Sequence, residues 1–425
     1  MDVTSSKTVI GVAIMGYGVV GQGAAYAIQH NSAQIEKKTG LKLRLLHILD
    51  LLDFDDSPDA ALITHSVVDI MDDDNVDVVV ETMGGLNAAY DFTKEALKRQ
   101  KHVITSNKEL VAEHGLELLE LAHSHNVSYR FDASVGGGIP VISPIRECLA
   151  ANRINEISGI LNGTTNYMIT YMRTRGTKFS ETLKMAQAEG YAEKDTSADI
   201  GGADACRKLA ILSSIAWDAF LDWKDIHTEG ISTLNLEDVS RAVELGRTLK
   251  LYARACLQAD GRVEAYVIPA MLDRQNPLSN VSGVNNAVMV NGDLSGSVML
   301  YGEGAGKLPT GSAIVSDIIK AAGCSGINAN PCWSKSMALE VIDFSTYVHS
   351  YYVRVTTPVP DAFCIELFKE FPAAQILPRN GAVSSNGDSC AFTVTGIKEG
   401  VFADQLARVI SKSKGATIGF VARLL

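Results

Sequence analysis

The chain has no pair of cysteines in CxxC spacing; its seven cysteines (148, 206, 256, 324, 332, 364 and 390) are scattered along 425 residues. That argues against a zinc ribbon or a disulfide framework and fits a reducing compartment. No apolar run is long enough to span a bilayer. The opening, "MDVTSSKTVIGVAIMGYG", is a short polar tail entering a strand, without a leader, so a cytoplasmic protein is expected. Basic clusters are sparse (Lys98, Arg99 and Lys101, then Lys412 and Lys414), and the formal net charge is −11. Such a surface repels nucleic acid and anionic membrane. Transition-metal spacing is missing too: His123 and His125 stand two apart on a helix and point away from each other. No long repeat or low-complexity tract occurs. These absences leave a soluble protein that handles a small molecule.

What is present begins with alternation. Apolar strand-like runs at Val9 to Met15, Leu43 to Leu49, Val76 to Val80, His102 to Thr105 and Val127 to Phe131 are separated by helical stretches such as Tyr90 to Arg99 and Glu109 to Ser124. Strands alternating with helices imply βαβ units and a parallel sheet covered on both faces. From about 154 to 300 the pattern predicts fewer helices and longer amphipathic strands, for example Arg262 to Ile268 and Ala287 to Val290. A helix after the glycine-rich loop at 302–306 ends at Gly323, and residues 324 to 346 read as a linker. The last 75 or so residues follow a βαββαβ-like order, the mark of a small α+β module.

At the start, "VIGVAIMGYGVVGQG" is a strand followed at once by Gly16, Gly18 and Gly21 in G-x-G-x-x-G spacing. Glycines there permit a tight turn and let backbone approach a pyrophosphate seated on a helix N-terminus. The second strand ends in Asp50, where a carboxylate would bind a ribose 2′-hydroxyl. No arginine or lysine follows closely to pair with a 2′-phosphate, and Asp53, Asp55 and Asp56 would repel one. NAD is therefore expected over NADP.

Further on stand "ETMGG" at 81–85, "TSNKEL" at 105–110, "GGGIPVISPIRE" at 136–147, "LNGTTNYM" at 161–168, "GYAEKDTSADIGGADACRKLAIL" at 190–212 and "GEGAGKLPTGSAIVSD" at 302–317. In this order and at these spacings, the first 320 or so residues resemble homoserine dehydrogenase. The resemblance implies hydride reduction of L-aspartate 4-semialdehyde to L-homoserine with NAD(P)H, on the route to threonine and methionine. It implies a Rossmann-type doubly wound α/β domain over 1–138 and 305–340, an α+β substrate-binding and dimerisation domain over 139–304, and an ACT-like module over 347–425. With the nucleotide strand so near residue 1, the monofunctional form is expected.

Asp204 and Lys208 stand four apart on one helical face. Taken alone they are an ordinary i,i+4 pair, but the helix downstream is apolar, so their end of it is expected to open on a cavity. By resemblance Lys208 matches the catalytic lysine, and Lys108 of "NK" a lysine near both cofactor and substrate. Glu193, Asp204, Gly190, Asp199 and Thr164 match substrate contacts. Val19, Val20, Thr82 and Gly304 would complete a cofactor site with Gly16, Gly18, Gly21, Asp50 and Lys108. "FDASVGGGI" matches a monovalent-cation stretch, such as one for Na+, implicating Asp132, Val135, Gly137 and Ile139. ACT modules commonly place a glycine after their first strand; here Asp361 stands in "VPDAF", which weakens the case for threonine as an amino-acid effector. A homodimer or tetramer is expected by analogy. Two other readings stay open at this point: a Rossmann oxidoreductase for another semialdehyde, and a non-catalytic amino-acid sensor.

Overall fold

The computed structural model describes residues 8–323, 333, 338–378 and 388–425. The chain divides into two compact units, one of Met1–Ile154, Arg207–Trp223 and Asn291–Leu339, the other of Asn155–Cys206, Lys224–Val290 and Glu340–Leu425.

The first unit carries β1 (Val9–Met15), β2 (Lys42–Leu49), β3 (Ile63–Thr64), β4 (Val76–Glu81), β5 (His102–Thr105) and β6 (Tyr129–Arg130). They form a parallel sheet in the order β3-β2-β1-β4-β5-β6. Val12, Ile14, Val78, Val80 and Ile104 are fully buried, as strands covered on both faces require. The order reverses between β1 and β4, and in such sheets ligands bind at that switch point, beyond the carboxyl ends of the strands. Helix Val19–His30 leaves β1 there and packs on helix Lys307–Gly323. Glycine permits the contact: a Cβ on Gly23 would lie 1.9 Å from the Lys307 carbonyl, and one on Gly311 2.5 Å from the backbone of Gly23.

The remaining strands are β7 (Ile154–Ile160), β8 (His227–Thr228), β9 (Arg247–Leu257), β10 (Val263–Asp273), β11 (Asn285–Gly292), β12 (Gly296–Glu303), β13 (Val348–Thr357), β14 (Gln375–Ile376), β15 (Asp388–Lys398) and β16 (Thr417–Leu424). All but β12, which belongs to the first unit, make a mixed sheet in the order β11-β7-β9-β10-β16-β13-β15-β14, with β8 on β10. Its spine is the antiparallel hairpin β9–β10, paired from Val263↔Leu257 to Asp273↔Arg247.

The stretch expected to have fewer helices holds, besides the expected helix of Asp204 and Lys208 (Ala203–Trp217), four more: Gly163–Arg175, Phe179–Ala188, Ser197–Ile200 and Leu236–Glu244. Helix Gly163–Arg175 escaped detection because Thr164 to Thr170 are all buried, so the segment has no polar stripe to betray a helical period. The strand expected over Val127–Phe131 shrinks to Tyr129–Arg130. Most of the stretch read as a linker lies outside the described residues. Its described end is paired: Glu340 and Ile342 both bond the backbone of Val263. Asp361 sits in the first turn of helix Pro360–Glu370 and is absent from the positive-φ residues, so the glycine argument at that position does not apply.

From β13 onward the order is strand, helix, two strands, helix, strand, and β16 pairs in parallel with β10 at Ala270↔Arg423 and Met271↔Leu424. Arg423, 3% exposed, anchors this seam. Its guanidinium pairs with Glu229 and, at 2.9 Å, with Glu399, which also meets His349 at 2.8 Å. Burial would raise the Glu229 carboxyl, but hydrogen bonds from His227 and Arg423 outweigh it and hold the group at about 2.

A depressed carboxylate stabilises the fold above its unfolded pKa, and that stability is lost as pH falls through the folded one. For Glu229 the window runs from about 4.5 down to about 2. Arg423→Met would take the shared guanidinium from Glu229 and Glu399, leaving each with its histidine, and removing one partner of a buried pair costs about 3–5 kcal/mol. Thermal unfolding at pH 7 is expected to show a large drop in Tm for R423M. Between pH 4.5 and 2 the variant should also lose the wild-type acid dependence contributed by this pair.

Candidate active site

In the first unit the glycine turn is built by close backbone packing. Gly16 has φ of +95°, and a Cβ there would lie 2.8 Å from Met83 N; a Cβ on Gly21 would lie 2.0 Å from the Gly16 carbonyl. Gly18 differs, for a Cβ on it would meet no protein atom within 4 Å. Gly18 is also the N-cap of helix Val19–His30 and has no side chain to cap it. The first helical N–H groups, those of Val19, Val20 and Gly21, have no partner in the preceding turn, which suits an anion. Thr82 Oγ1 donates to the Gly16 carbonyl at 2.7 Å and fastens the turn to β4.

Asp50 closes this corner. One of its oxygens accepts from Tyr17 N at 2.6 Å and the other from Leu52 N at 3.1 Å. The carboxylate is therefore held at the end of β2 by two backbone donors. His65 bonds the Asp50 carbonyl at 2.7 Å and Asp53 at 2.9 Å, and these contacts raise its pKa.

Lys108 is the first residue of helix Lys108–Ser124, capped by Asn107, whose side chain accepts from Leu110 N at 3.1 Å. Behind the cap lies a residue that sequence reasoning passed over. Glu81, 0% exposed, accepts from Thr105 Oγ1 at 2.5 Å and from Met83 N at 2.9 Å, and burial raises its pKa. Thr105 in turn accepts from Asn107 N at 2.9 Å. One buried carboxyl thus fixes both the "ETMGG" loop beside Thr82 and the cap of the Lys108 helix. An acidic residue ending an otherwise apolar strand, "VDVVVE", is the signal that could have found it.

Gly304 packs on Gly137, whose Cβ would lie 2.6 Å from the Gly304 carbonyl. That contact brings the later glycine loop to the candidate cation stretch. Asp132 in that stretch accepts a hydrogen bond from Ser143 and lies 3.5 Å from Lys320. Its side chain already faces a cation of the protein itself. Among the described residues no group of three His, Cys, Asp or Glu side chains could hold a metal.

The second unit assembles the acidic residues. Asn162 caps helix Gly163–Arg175 by accepting from Thr165 N at 2.8 Å. Its amide nitrogen donates to Asp199 at 2.7 Å and to Asp204 at 2.9 Å. Two carboxylates bound to one amide make a locus of negative charge that favours an ammonium group. Asp204 is 4% exposed, and Lys208, one turn further along helix Ala203–Trp217, is 9% exposed. Thr164 Oγ1 donates to the Tyr191 carbonyl at 2.8 Å, next to Gly190 with its φ of +78°. Glu193 is not drawn into this cluster: it stands exposed, its carbonyl accepting from Gln187. Asn162 was missed as a site residue although "LN-GTT" has the asparagine of a helix start.

The family model described as "Homoserine dehydrogenase, NAD binding domain" matches residues 16–132, and the one described as "Homoserine dehydrogenase" matches 140–319. The homoserine dehydrogenase of Neisseria gonorrhoeae is 41% identical over 313 residues, covering 73% of this chain and 72% of that protein. The crystal structure of a homoserine dehydrogenase from Thiobacillus denitrificans superposes with a TM-score of 0.87 at 32% identity, over 98% of both chains. A hyperthermophilic archaeal homoserine dehydrogenase in complex with NADPH matches with a TM-score of 0.62 at 26% identity, over 75% of this chain and 99% of that one.

Open space at Gly18 gives a direct test of the cofactor cradle. Gly18→Ala is sterically permitted by its φ of −70°, so Tm should stay within about 2 °C of wild type. NAD(P)H affinity, read by fluorescence titration, should fall about tenfold or more, as expected of a methyl group placed where a glycine lets backbone approach a pyrophosphate. The glycine cradle, the acidic cluster and the matches at both ends of the catalytic region agree: the chain belongs to the homoserine dehydrogenase family, NAD(P)-dependent oxidoreductases acting on a CH–OH group.

Proposed function

We propose that Asp199 and Asp204, with Thr164, Gly190 and Glu193, bind the amino-acid end of aspartate semialdehyde and homoserine, and that Lys208 and Lys108 handle the proton at the reacting oxygen. The observation that carries this is the Asn162 amide holding two carboxylates one helical turn ahead of Lys208. An ammonium group is the natural partner of such a pair, and every substrate of this reaction carries one.

When bound, the nicotinamide cofactor supplies the hydride that turns the aldehyde carbon into an alkoxide. That alkoxide needs a proton, and a lysine ammonium both stabilises the developing charge and delivers the proton. Lys208, nearly buried, sits where water competes poorly for that role. Lys108, set by the Asn107 cap and the Glu81 network, is the second ammonium available for the acid–base work. In the direction of homoserine oxidation the same lysine, deprotonated, takes the hydroxyl proton.

Asp50 supports NAD over NADP. Its carboxylate is fixed by two backbone N–H groups and flanked by Asp53, Asp55 and Asp56, an arrangement that accepts from a ribose hydroxyl and repels a phosphate. The backbone carbonyls of 132–139 are the donors proposed for a monovalent cation. The βαββαβ order of 348–424 supports an ACT-like module, for assembly as a homo-oligomer or for an amino-acid effector, in a cytoplasmic enzyme.

The test is nucleotide oxidation with aspartate semialdehyde, NADH beside NADPH, on wild type and Lys208→Ala. NADH should give the higher kcat/KM. Lys208→Ala should lower kcat by about 10² or more while NADH binding stays within about twofold. Normal turnover by the variant would remove the acid role from Lys208. Equal or better turnover with NADPH would remove cofactor selection from Asp50.

A further inference from the structure

Strand β9, "RTLKLYARACL", carries a lysine where an apolar residue would be expected. Lys250 is 1% exposed, opposite Ala270 on β10, and lies in a part of the strand buried on both faces. Among the described residues its ammonium pairs with no carboxylate. It donates instead to Asn166 Oδ1 at 2.8 Å and to the Val281 carbonyl. Burial, with the charge of Arg173 adding to it, pushes the amine down to about 7. Burying a lysine among neutral acceptors is costly, and a leucine or methionine would fill the same volume without that cost.

The use of Lys250 follows from its partner. Asn166 lies in the first turn of helix Gly163–Arg175, four residues from the cap Asn162 and two from Thr164. Its amide nitrogen donates to the Asn285 carbonyl at 3.0 Å. Asn166 is therefore gripped on both ends of its amide, by Lys250 on β9 and by the start of β11. A helix held at one side chain from two directions can neither slide nor turn about its axis. The same turn carries Asn162, whose amide gathers Asp199 and Asp204, and Thr164, which ties down Tyr191.

We infer that Lys250 is a positioning residue for the amino-acid end of the substrate, acting through Asn166 on the Asn162–Asp199–Asp204 cluster. This rests on the reading of Asp199 and Asp204 as substrate carboxylates. A displacement of about 1 Å at a binding group can cost about 10²-fold, so a remote brace of this kind has a measurable effect.

The experiment compares Lys250→Met, Asn166→Leu and the double variant in steady-state assays of both reaction directions, with NADH binding measured separately. Each single variant should raise KM for aspartate semialdehyde and homoserine about tenfold or more, with NADH affinity within about twofold. The double variant should be no worse than the poorer single one, since Asn166→Leu already removes the link that Lys250→Met breaks. A lysine that serves only stability would lower Tm and leave both substrate KM values unchanged, and that result overturns the inference. Should Lys250→Met not fold, Asn166→Leu removes the atom that Lys250 holds, and unchanged KM values for that variant overturn the inference. Asp204→Asn, run alongside, separates the two levels. If it raises KM while the brace variants do not, the inference about Lys250 fails and the acidic site stands; if it leaves KM unchanged, the reading of the site itself fails.

Discussion

Two carboxylates that share one amide hydrogen-bond donor are held together against their own repulsion, and in this protein the donor is Asn162. That single side chain starts a helix with its oxygen and gathers Asp199 and Asp204 with its nitrogen. Local structure and binding chemistry are thus set by the same amide. If Asn162 turned, the helix would lose its cap and the acids their common partner. The Thr164 bond to Tyr191 and the hairpin β9–β10 behind the helix protect that geometry.

A similar economy appears in the first unit. Glu81 is buried with its carboxyl spent on backbone and hydroxyl donors, and its position at the end of β4 lets it serve two loops at once. The loops that meet a dinucleotide in this fold follow β1 and β4, and Thr82 stitches them together. The placement of Lys108 depends on the Glu81 network behind its cap. Elsewhere the chain buries charge for cohesion: Asp238 takes the guanidinium of Arg354 and the hydroxyl of Tyr352, and Arg423 joins Glu229 to Glu399.

How much of this was legible in the sequence depends on how local the cause is. The strands Val9–Met15 and His102–Thr105 could be read to the residue, because short runs with an apolar centre bounded by turns have few alternatives. The glycine turn was equally plain. Helix Gly163–Arg175 was not, since burial on nearly every side erases the amphipathic period, and its β-branched threonines suggest a strand. Asp199, Asp204, Lys208 and Lys108 came from motif resemblance, whereas Asn162, Glu81 and Lys250 draw their roles from partners far away in sequence.

The seam of Gly23 and Gly311 has a consequence for how the chain is made. These residues are roughly 290 positions apart, yet their helices pack backbone to backbone. Ile314, Val315 and Ile318 share a core with Val12, Ile14 and Val78 from the first strands. A ribosome adding about 5–20 residues per second needs about 15–60 s to cover that interval. Throughout it the newborn dinucleotide sheet lacks the helix that finally covers this face, and its apolar side chains stand bare. During synthesis, then, the first strands emerge well before the helix that covers them in the finished chain.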